Sequence, residues 1–211
     1  MTADPRRLAW DERHGGGDFE GVGPNPALVA GVVGLGRGSA LELAAGSGTN
    51  AVWLAGQGWR VTAVDWSPVA LANGEAKAAA AGVEVEWLER DLFDWSAPVR
   101  SFDLVVIVYL HVQPDERRPI YARAAAAVAP GGRLLVVGHH PHHAVEGQGG
   151  PDPDRLFTAD DIARDLRAAE PDLVIERAEV VRRVPLPDRG PIDSLLVIRR
   201  PGPIATQESP Q

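Results

Sequence analysis

Cysteine is absent from the 211 residues, and lysine occurs once, at Lys77. Without thiols there is no disulfide framework, no thiolate metal site and no cysteine nucleophile, so chemistry falls to histidine, carboxylates and the backbone. No run approaches the roughly 20 apolar residues that span a bilayer. The opening stretch MTADPRRLAWDERHGGGDFE carries charge throughout, where a signal peptide would hold an apolar segment. The expected compartment is the cytoplasm. Positive charge is in deficit, with 21 basic against 29 acidic residues and a formal net charge of −8. Such a balance repels phosphate backbones at long range and offers anionic lipid no polybasic patch, so neither nucleic acid nor a membrane is an expected partner. The arginines fall in scattered pairs, Arg117 with Arg118, Arg182 with Arg183 and Arg199 with Arg200, an arrangement expected on solvated faces or strand ends.

What remains is 45% hydrophobic and 24% charged, the balance of one compact domain. A chain of this size buries roughly 70% of the surface it would expose unfolded, enough for a core without staples. The periodicity places a single domain over residues 1–200, with 1–38 as an N-terminal cap, 39–200 as the core and 201–211 as a flexible tail.

The core alternates strand and helix. Ser39 to Ala45 is a short apolar strand followed by a helix over Thr49 to Gln57, and Trp59 to Val64 is a second strand ending at Asp65. Ser67 then caps a helix with Pro68 in its first turn, and Gly82 stops it. Val83 to Leu88 alternates as a third strand and closes on Glu89, Arg90 and Asp91. Phe102 to Tyr109 is nearly continuous apolar, as befits a strand buried on both faces, and Pro114 with Asp115 opens the next helix. Pro130, Gly131 and Gly132 are expected to end that helix before a strand at Arg133 to Gly138. Thr158 to Ala169 is a capped helix with acids in its first turn. Two extended segments, Leu173 to Val184 and Ile192 to Arg199, finish the chain around the sequence PLPDRGP. The expected fold is α/β: a Rossmann-like, doubly wound, seven-stranded and mostly parallel sheet with its last strand antiparallel and helices on both faces. Such sheets bind ligands at the carboxyl ends of their strands, near the point where strand order reverses.

At that edge, after the first strand, stands Leu41-Glu42-Leu43-Ala44-Ala45-Gly46-Ser47-Gly48-Thr49-Asn50. Two glycines in the turn let a ligand approach the backbone. With Ala51 the turn also satisfies the dinucleotide pattern G-x-G-x-x-[G/A], and Asp65 lies 19 residues after Gly46, where a carboxylate binds ribose hydroxyls. A nicotinamide cofactor therefore fits this loop. Glu42 inside the first strand, Asp91 after the third and the paired terminal strands favour a different adenosine ligand.

The stretch ALELAAGSGTNAVWLAGQGWRVTAVDWSP resembles the first two motifs of class I S-adenosylmethionine-dependent methyltransferases, and RDLFDW, FDLVVIVYLHV and VAPGGRLLVVG resemble the later ones. The likeness runs from about Ser39 to Gly138; with WDERHGGGDFEGVGPNPALV and LFTADDIARDL it resembles the small-molecule branch that includes tellurite-resistance and thiopurine-type enzymes. One departure is AAGSG where GCGxG is commoner. The resemblance implies a methyl transfer from S-adenosylmethionine to a small molecule, a soft sulfur, selenium or tellurium nucleophile being one such acceptor, with S-adenosylhomocysteine as product. It implies that Gly46, Gly48 and Asn50 frame the methionine and ribose, Glu42 orients the amino end and Asp65 takes the ribose hydroxyls. Trp66 would pack on adenine, Asp91 accept from its amino group and Leu92 offer a backbone N–H and an apolar wall. In the opening motif, around Trp10 to His14, Arg13 would pair with the cofactor carboxylate.

The acceptor is expected where the fourth strand ends, at Tyr109, Leu110 and His111; Tyr109 and His111 are the candidate catalytic residues, with His111 a candidate base. Four of the six histidines follow the fifth strand, at His139, His140, His142 and His143. Adjacent strand residues face opposite ways, so His139 and His140 are not expected to share one pocket, and no metal site is expected. The loop Glu146 to Asp154 is a candidate closing segment. Two alternatives stay open: a nicotinamide-dependent oxidoreductase, although no tyrosine stands four positions before Lys77, and a cofactor-binding protein without catalysis.

Overall fold

The computed structural model describes residues 4–16, 23–142, 152–182 and 192–202. Helices α1 (Pro5–Gly15) and α2 (Pro26–Gly31) precede the alternating core. The core runs β1 (Ser39–Leu43), α3 (Thr49–Gly56), β2 (Arg60–Asp65), α4 (Pro68–Ala81), β3 (Val85–Glu89) and β4 (Phe102–Val108). It continues through α5 (Pro114–Ala127), β5 (Val128–His139), α6 (Ala159–Ala169), β6 (Val174–Arg182) and β7 (Ile192–Arg199). One seven-stranded sheet results, ordered β3-β2-β1-β4-β5-β7-β6, with β7 antiparallel to both neighbours. The order reverses between β1 and β4, which puts the ligand crevice at their carboxyl ends.

Both faces of the sheet are buried at its central strands β1, β4, β5 and β7, whose middles are largely apolar, and period-2 alternation sorts their residues between the two faces. Leu41, Val105, Leu134 and Leu196 pack beneath α5 and α6, whereas Ala40, Leu104, Leu135 and Leu195 pack beneath α2 and α3. The caps expected from sequence form. Ser67 accepts from the Ala70 N–H ahead of α4, Gly82 ends α4 at φ 65°, and Thr158 and Asp161 cap α6 reciprocally. Each such cap contributes about 1 kcal/mol.

Three expectations are corrected. Pro130-Gly131-Gly132 does not end α5, which stops at Ala127; these residues belong to β5. Gly131, at φ 84°, donates to the Arg200 carbonyl and Gly132 accepts from Arg200 N–H, while the β4–β5 register shifts between Phe102 and Leu104. A bulge absorbs the turn-forming residues because their backbone groups find partners on the segment after β7. The paired arginines are not all solvated. Arg200 is buried, donating to the carbonyls of Val128 and Ala125 and to Glu170, and Arg117 is buried with its guanidinium 5.1 Å from the Phe157 ring. The first strand is shorter than expected, ending at Leu43, so that Ala44 and Ala45 join the loop. His143, most of the Glu146 to Asp154 segment, PLPDRGP and the tail from residue 203 lie outside the described residues.

Candidate functional site

The loop after β1 turns sharply because three of its five residues are left-handed: Ala44 (φ 55°), Gly46 (φ 53°) and Gly48 (φ 68°). Gly48 precedes α3, and a Cβ there would lie 2.2 Å from the Trp87 ring, so only glycine fits. Asp65 closes the loop from the end of β2. Its Oδ2 accepts from the Gly46 N–H at 2.8 Å and its Oδ1 from the Ser67 N–H at 2.9 Å. Burial raises its pKa, and those backbone donors oppose the rise. Glu42, in β1, is buried more deeply. Asn50 Nδ2 donates to its Oε1 at 2.9 Å, while Oε2 has no hydrogen-bond partner among the described residues. Burial pushes the Glu42 carboxyl up to about 8, against the opposing bond from Asn50 and the opposing Ala51 backbone N–H.

Helix α1 lies across this edge, tied down by hydrogen bonds and ion pairs along its length. Arg7 pairs with Glu89 at 2.7 Å, Asp11 accepts from the Ser67 hydroxyl, and Arg6 reaches Glu116 at the start of α5 at 2.9 Å. The Arg6 guanidinium also stands 4.7 Å from the Phe93 ring and 5.8 Å from that of Trp66, the two rings being 6.1 Å apart. His14 is the residue of α1 that meets the loop: it is buried, and a Cβ on Gly46 would lie 3.3 Å from its Cε1. Burial lowers the His14 pKa, with the Asp65 charge opposing. Arg13 faces outward, 4.7 Å from the Trp10 ring.

A second cluster occupies the ends of β4 and β5. Tyr109 sits at φ 61°, a conformation that costs a non-glycine residue on the order of 1–3 kcal/mol and persists only where neighbours impose it. Here its N–H donates to the Val137 carbonyl, and its hydroxyl donates to Asp193 Oδ2 at 2.7 Å and accepts from Asn25 Nδ2 at 3.1 Å. Asp193 is fully buried in β7 and lies opposite His139 in the antiparallel register; its Oδ1 meets His139 Nδ1 at 3.0 Å. The His139 N–H donates to His111 Nε2 at 3.0 Å, and the two imidazoles stack with centroids 4.7 Å apart. Asn25, which also caps α2, donates its backbone N–H to Asn50 Oδ1. An unbroken run of hydrogen bonds thus leads from Glu42 through Asn50, Asn25, Tyr109 and Asp193 to His139.

A glycine turn after β1, an acid ending β2 and an antiparallel β7 are joined by a match in sequence. Residues 40–132 match the methyltransferase domain family. The demethylmenaquinone methyltransferase of Thermus thermophilus is 34% identical over 99 residues, which is 46% of this chain. The match spans only 45% of that relative's own length. Among solved structures, one determined in connection with the conversion of a disulfide bond into a thioacetal group during echinomycin biosynthesis superposes with a TM-score of 0.73 at 23% identity, covering 95% of this chain and 94% of the other. The 1,6-didemethyltoxoflavin-N1-methyltransferase of Burkholderia thailandensis, solved with 1,6-didemethyltoxoflavin and S-adenosylhomocysteine, gives 0.67 at 22% identity over 95% and 92%. At these identities the structures establish the Rossmann-like methyltransferase fold. Together with the family match, they support S-adenosylmethionine as the cofactor of the domain over residues 40–132.

Within that domain Glu42, Gly46, Gly48, Asn50 and Asp65 converge on one loop. Trp66 lies beside Phe93 at the adjoining strand ends. Asp91, exposed after β3, accepts from the Phe93 N–H at 2.9 Å, and Leu92 packs against the core while its carbonyl accepts from Arg123. Tyr109 and His111 stand together with ring centroids 6.0 Å apart. Arg13 is exposed beside Trp10, and His14, next to it, lies against Gly46. His139 and His140 diverge as the strand period requires, His140 being buried against His142 at 4.8 Å. No group of three or more His, Cys, Asp or Glu among the described residues is placed to hold a metal ion, and no described helix is long and apolar enough to cross a membrane. Sequence reasoning overlooked Asn25 and Asp193. The signal for Asp193 was a lone acid near the start of the apolar strand IDSLLVIR.

Proposed function

We propose that this protein is an S-adenosylmethionine-dependent methyltransferase acting on a small-molecule acceptor. One observation carries the reading: beside a glycine loop already closed by Asp65, Glu42 holds a buried oxygen, Oε2, that no described residue satisfies. A buried carboxyl left half-partnered is costly, and an ammonium donor of the kind the cofactor carries answers it. Gly46 and Gly48 would admit the methionine and ribose, Asp65 would bind the ribose hydroxyls, and Asn50 would hold Glu42 in position. Trp66, Asp91 and Leu92 would border the adenine. His14, with Arg13 near the mouth, would cover the loop from α1. When bound, the cofactor supplies an electrophilic methyl group on a sulfonium centre. The protein's task is then to place the acceptor in line and exclude water.

Tyr109 and His111 would form a wall of the acceptor chamber. Tyr109 is fixed in its strained conformation by Asp193 and Asn25. His111 accepts from a backbone N–H, so in its neutral form it carries its proton on Nδ1. For the acceptor we favour a soft nucleophile such as a thiol or its heavier analogues, as in the tellurite-resistance and thiopurine-type branch. Sulfur chemistry surrounds one structural neighbour, and a soft centre requires little activation beyond loss of its proton.

Thermal unfolding tests the cofactor. S-adenosylhomocysteine or S-adenosylmethionine at about 100 times its dissociation constant should add about 2.7 kcal/mol, or roughly 5–10 °C for a domain of this size. A shift with NAD alone would make the loop a dinucleotide site and overturn the reading. Methyl transfer from labelled cofactor to thiols and to tellurite, set against hydroxyl and amine acceptors, tests the acceptor class.

A further inference from the structure

We infer that His139, held by Asp193, is the general base of the transfer, and that the acceptor it serves is a thiol that arrives protonated. The inference rests on the methyltransferase reading and adds the residue that removes the acceptor's proton. Asp193 is the decisive neighbour. Its carboxylate is fully buried, and it spends one oxygen on the Tyr109 hydroxyl and the other on His139 Nδ1. An ionised carboxylate only accepts hydrogen bonds, so Nδ1 carries hydrogen and the imidazole lone pair resides on Nε2. A base oriented by a carboxylate in this way takes a proton at Nε2 and is stabilised as imidazolium without moving its partner.

The neighbouring histidine has the opposite arrangement. His111 Nε2 accepts from the His139 backbone N–H, which places the His111 lone pair on a bond internal to the protein. Stacking at 4.7 Å and that hydrogen bond make His111 a support for His139. Among the described residues, the titratable groups set against the His139 ring include Asp193 on β7, whose carboxylate meets Nδ1, and Tyr109 and His111 after β4. His139 ends β5, next to the end of β4 in the parallel pair, and so stands at the carboxyl edge where this fold meets its ligands. Its side chain keeps 16% of its surface exposed, whereas Asp193 keeps 1%. The base is reachable and its partner is sealed.

In the step itself, the sulfur lone pair of the thiol forms a bond to the methyl carbon as the S–H proton passes to His139 Nε2. The former carbon–sulfonium bond breaks with its electron pair retained by the departing sulfur, which leaves as a neutral thioether. The positive charge lost from the sulfonium appears on the His139 imidazolium, beside Asp193, and is discharged to solvent after release.

The test uses two thiols that differ in whether they need a base. 2-Mercaptoethanol keeps its proton at neutral pH, while thiophenol is largely ionised there. H139Q should lower transfer to 2-mercaptoethanol by about 100-fold, the lower bound for general base catalysis, and leave transfer to thiophenol nearly unchanged. D193N, which keeps the shape but withdraws the charge behind the imidazole, should show the same selectivity between the two thiols. Equal losses for both thiols would reduce His139 to a structural residue and overturn the inference. Independently of turnover, nitrogen-15 imidazole spectra of the intact protein with S-adenosylhomocysteine should show His139 protonated at Nδ1 alone; a proton on Nε2 at neutral pH would also overturn it. S-adenosylhomocysteine binding by calorimetry separates the two levels. Binding retained in H139Q with the thiol selectivity absent defeats the base alone, while no binding by the parent protein defeats the methyltransferase reading beneath it.

Discussion

Replacing Glu42 with glutamine should stabilise the free protein and weaken its hold on the cofactor, two effects of opposite sign from one buried carboxyl. Glu42 titrates near 8 in the folded chain against an ordinary 4.5, because burial penalises its charged form. Between those values the unfolded chain has lost the proton that the folded chain keeps, so the contribution of Glu42 is fully present below pH 4.5 and drains away as pH rises towards 8. At pH 7 the gap spans 2.5 units from 4.5, which at 1.36 kcal/mol per unit is on the order of 3 kcal/mol. The amide of E42Q has nothing to ionise. Its melting temperature should therefore exceed the parent's by roughly 6–12 °C at pH 7, while the two nearly coincide at pH 4.5. Calorimetric titration of S-adenosylhomocysteine supplies the other half. Losing a carboxylate for the cofactor's ammonium should weaken binding about 10- to 100-fold, the scale of hydrogen bonds to charged groups. In the parent, affinity should climb with pH up to about 8, because binding the ammonium expels the Glu42 proton; in E42Q that dependence should vanish. A melting difference equal at pH 4.5 and pH 8 would refute the argument, since it would show that Glu42 does not titrate in this window.

Asp65→Ala removes the acceptor of two backbone N–H groups as well as the expected ribose ligand, and should weaken S-adenosylhomocysteine binding by about 1–3 kcal/mol in calorimetry; unchanged affinity would take Asp65 out of the site. Gly138→Ala would set a Cβ 2.2 Å from the Phe157 ring and should cost about 1–3 kcal/mol in denaturant unfolding, whereas Gly82→Ala, with open space around it, should show only the strain of its left-handed backbone. A double-mutant cycle on E42Q and Y109F, read in cofactor affinity, should show coupling of about 0.5–3 kcal/mol through Asn50 and Asn25; additivity within about 0.5 kcal/mol would mean that the hydrogen bonds between them act only in pairs.

The parts of this molecule legible in its sequence are those that depend on local chemistry. Ser67 and Thr158 cap because a hydroxyl beside a helix start has few better partners, and Leu104 to Ile107 is the buried run of a central strand because none of its side chains needs water. Asp65 and the glycine loop were also legible, since their spacing is set by one strand–helix–strand unit. Pro130-Gly131-Gly132 was misread for an instructive reason. Turn-forming residues end an element only if their backbone groups lack partners, and Arg200, some 70 residues on, supplies them. Asp193 was illegible because its meaning lies in the β5–β7 register. Only when His139 stands opposite it does a lone acid in IDSLLVIR become half of a dyad. That His14 meets Gly46 was illegible because it rests on the rotation of α1 about its axis, which Asp11 on Ser67 and Arg7 on Glu89 set through tertiary contacts.

Those long-range contacts also couple the two halves of the site. Glu42 and Asn50 belong to the first strand–helix unit, Tyr109 to the end of β4, and Asp193 and His139 to the antiparallel pair that closes the sheet. Asn25, just ahead of α2, is the point where they meet: its backbone N–H serves Asn50, its Oδ1 caps α2 and its Nδ2 serves Tyr109. The start of α2 is thereby tied to the loop after β1 and to the end of β4 at once. A change of charge at Glu42 alters what Asn50 can donate to, and so bears on the anchor of Tyr109, whose strained backbone leaves it few alternative positions. The hydroxyl of Tyr109 in turn fixes one oxygen of the carboxylate that orients His139. Ionisation of Glu42 at one end and the proposed uptake of a proton by His139 at the other therefore share a single polar scaffold, the first adding negative charge beside the glycine loop and the second positive charge beside Asp193.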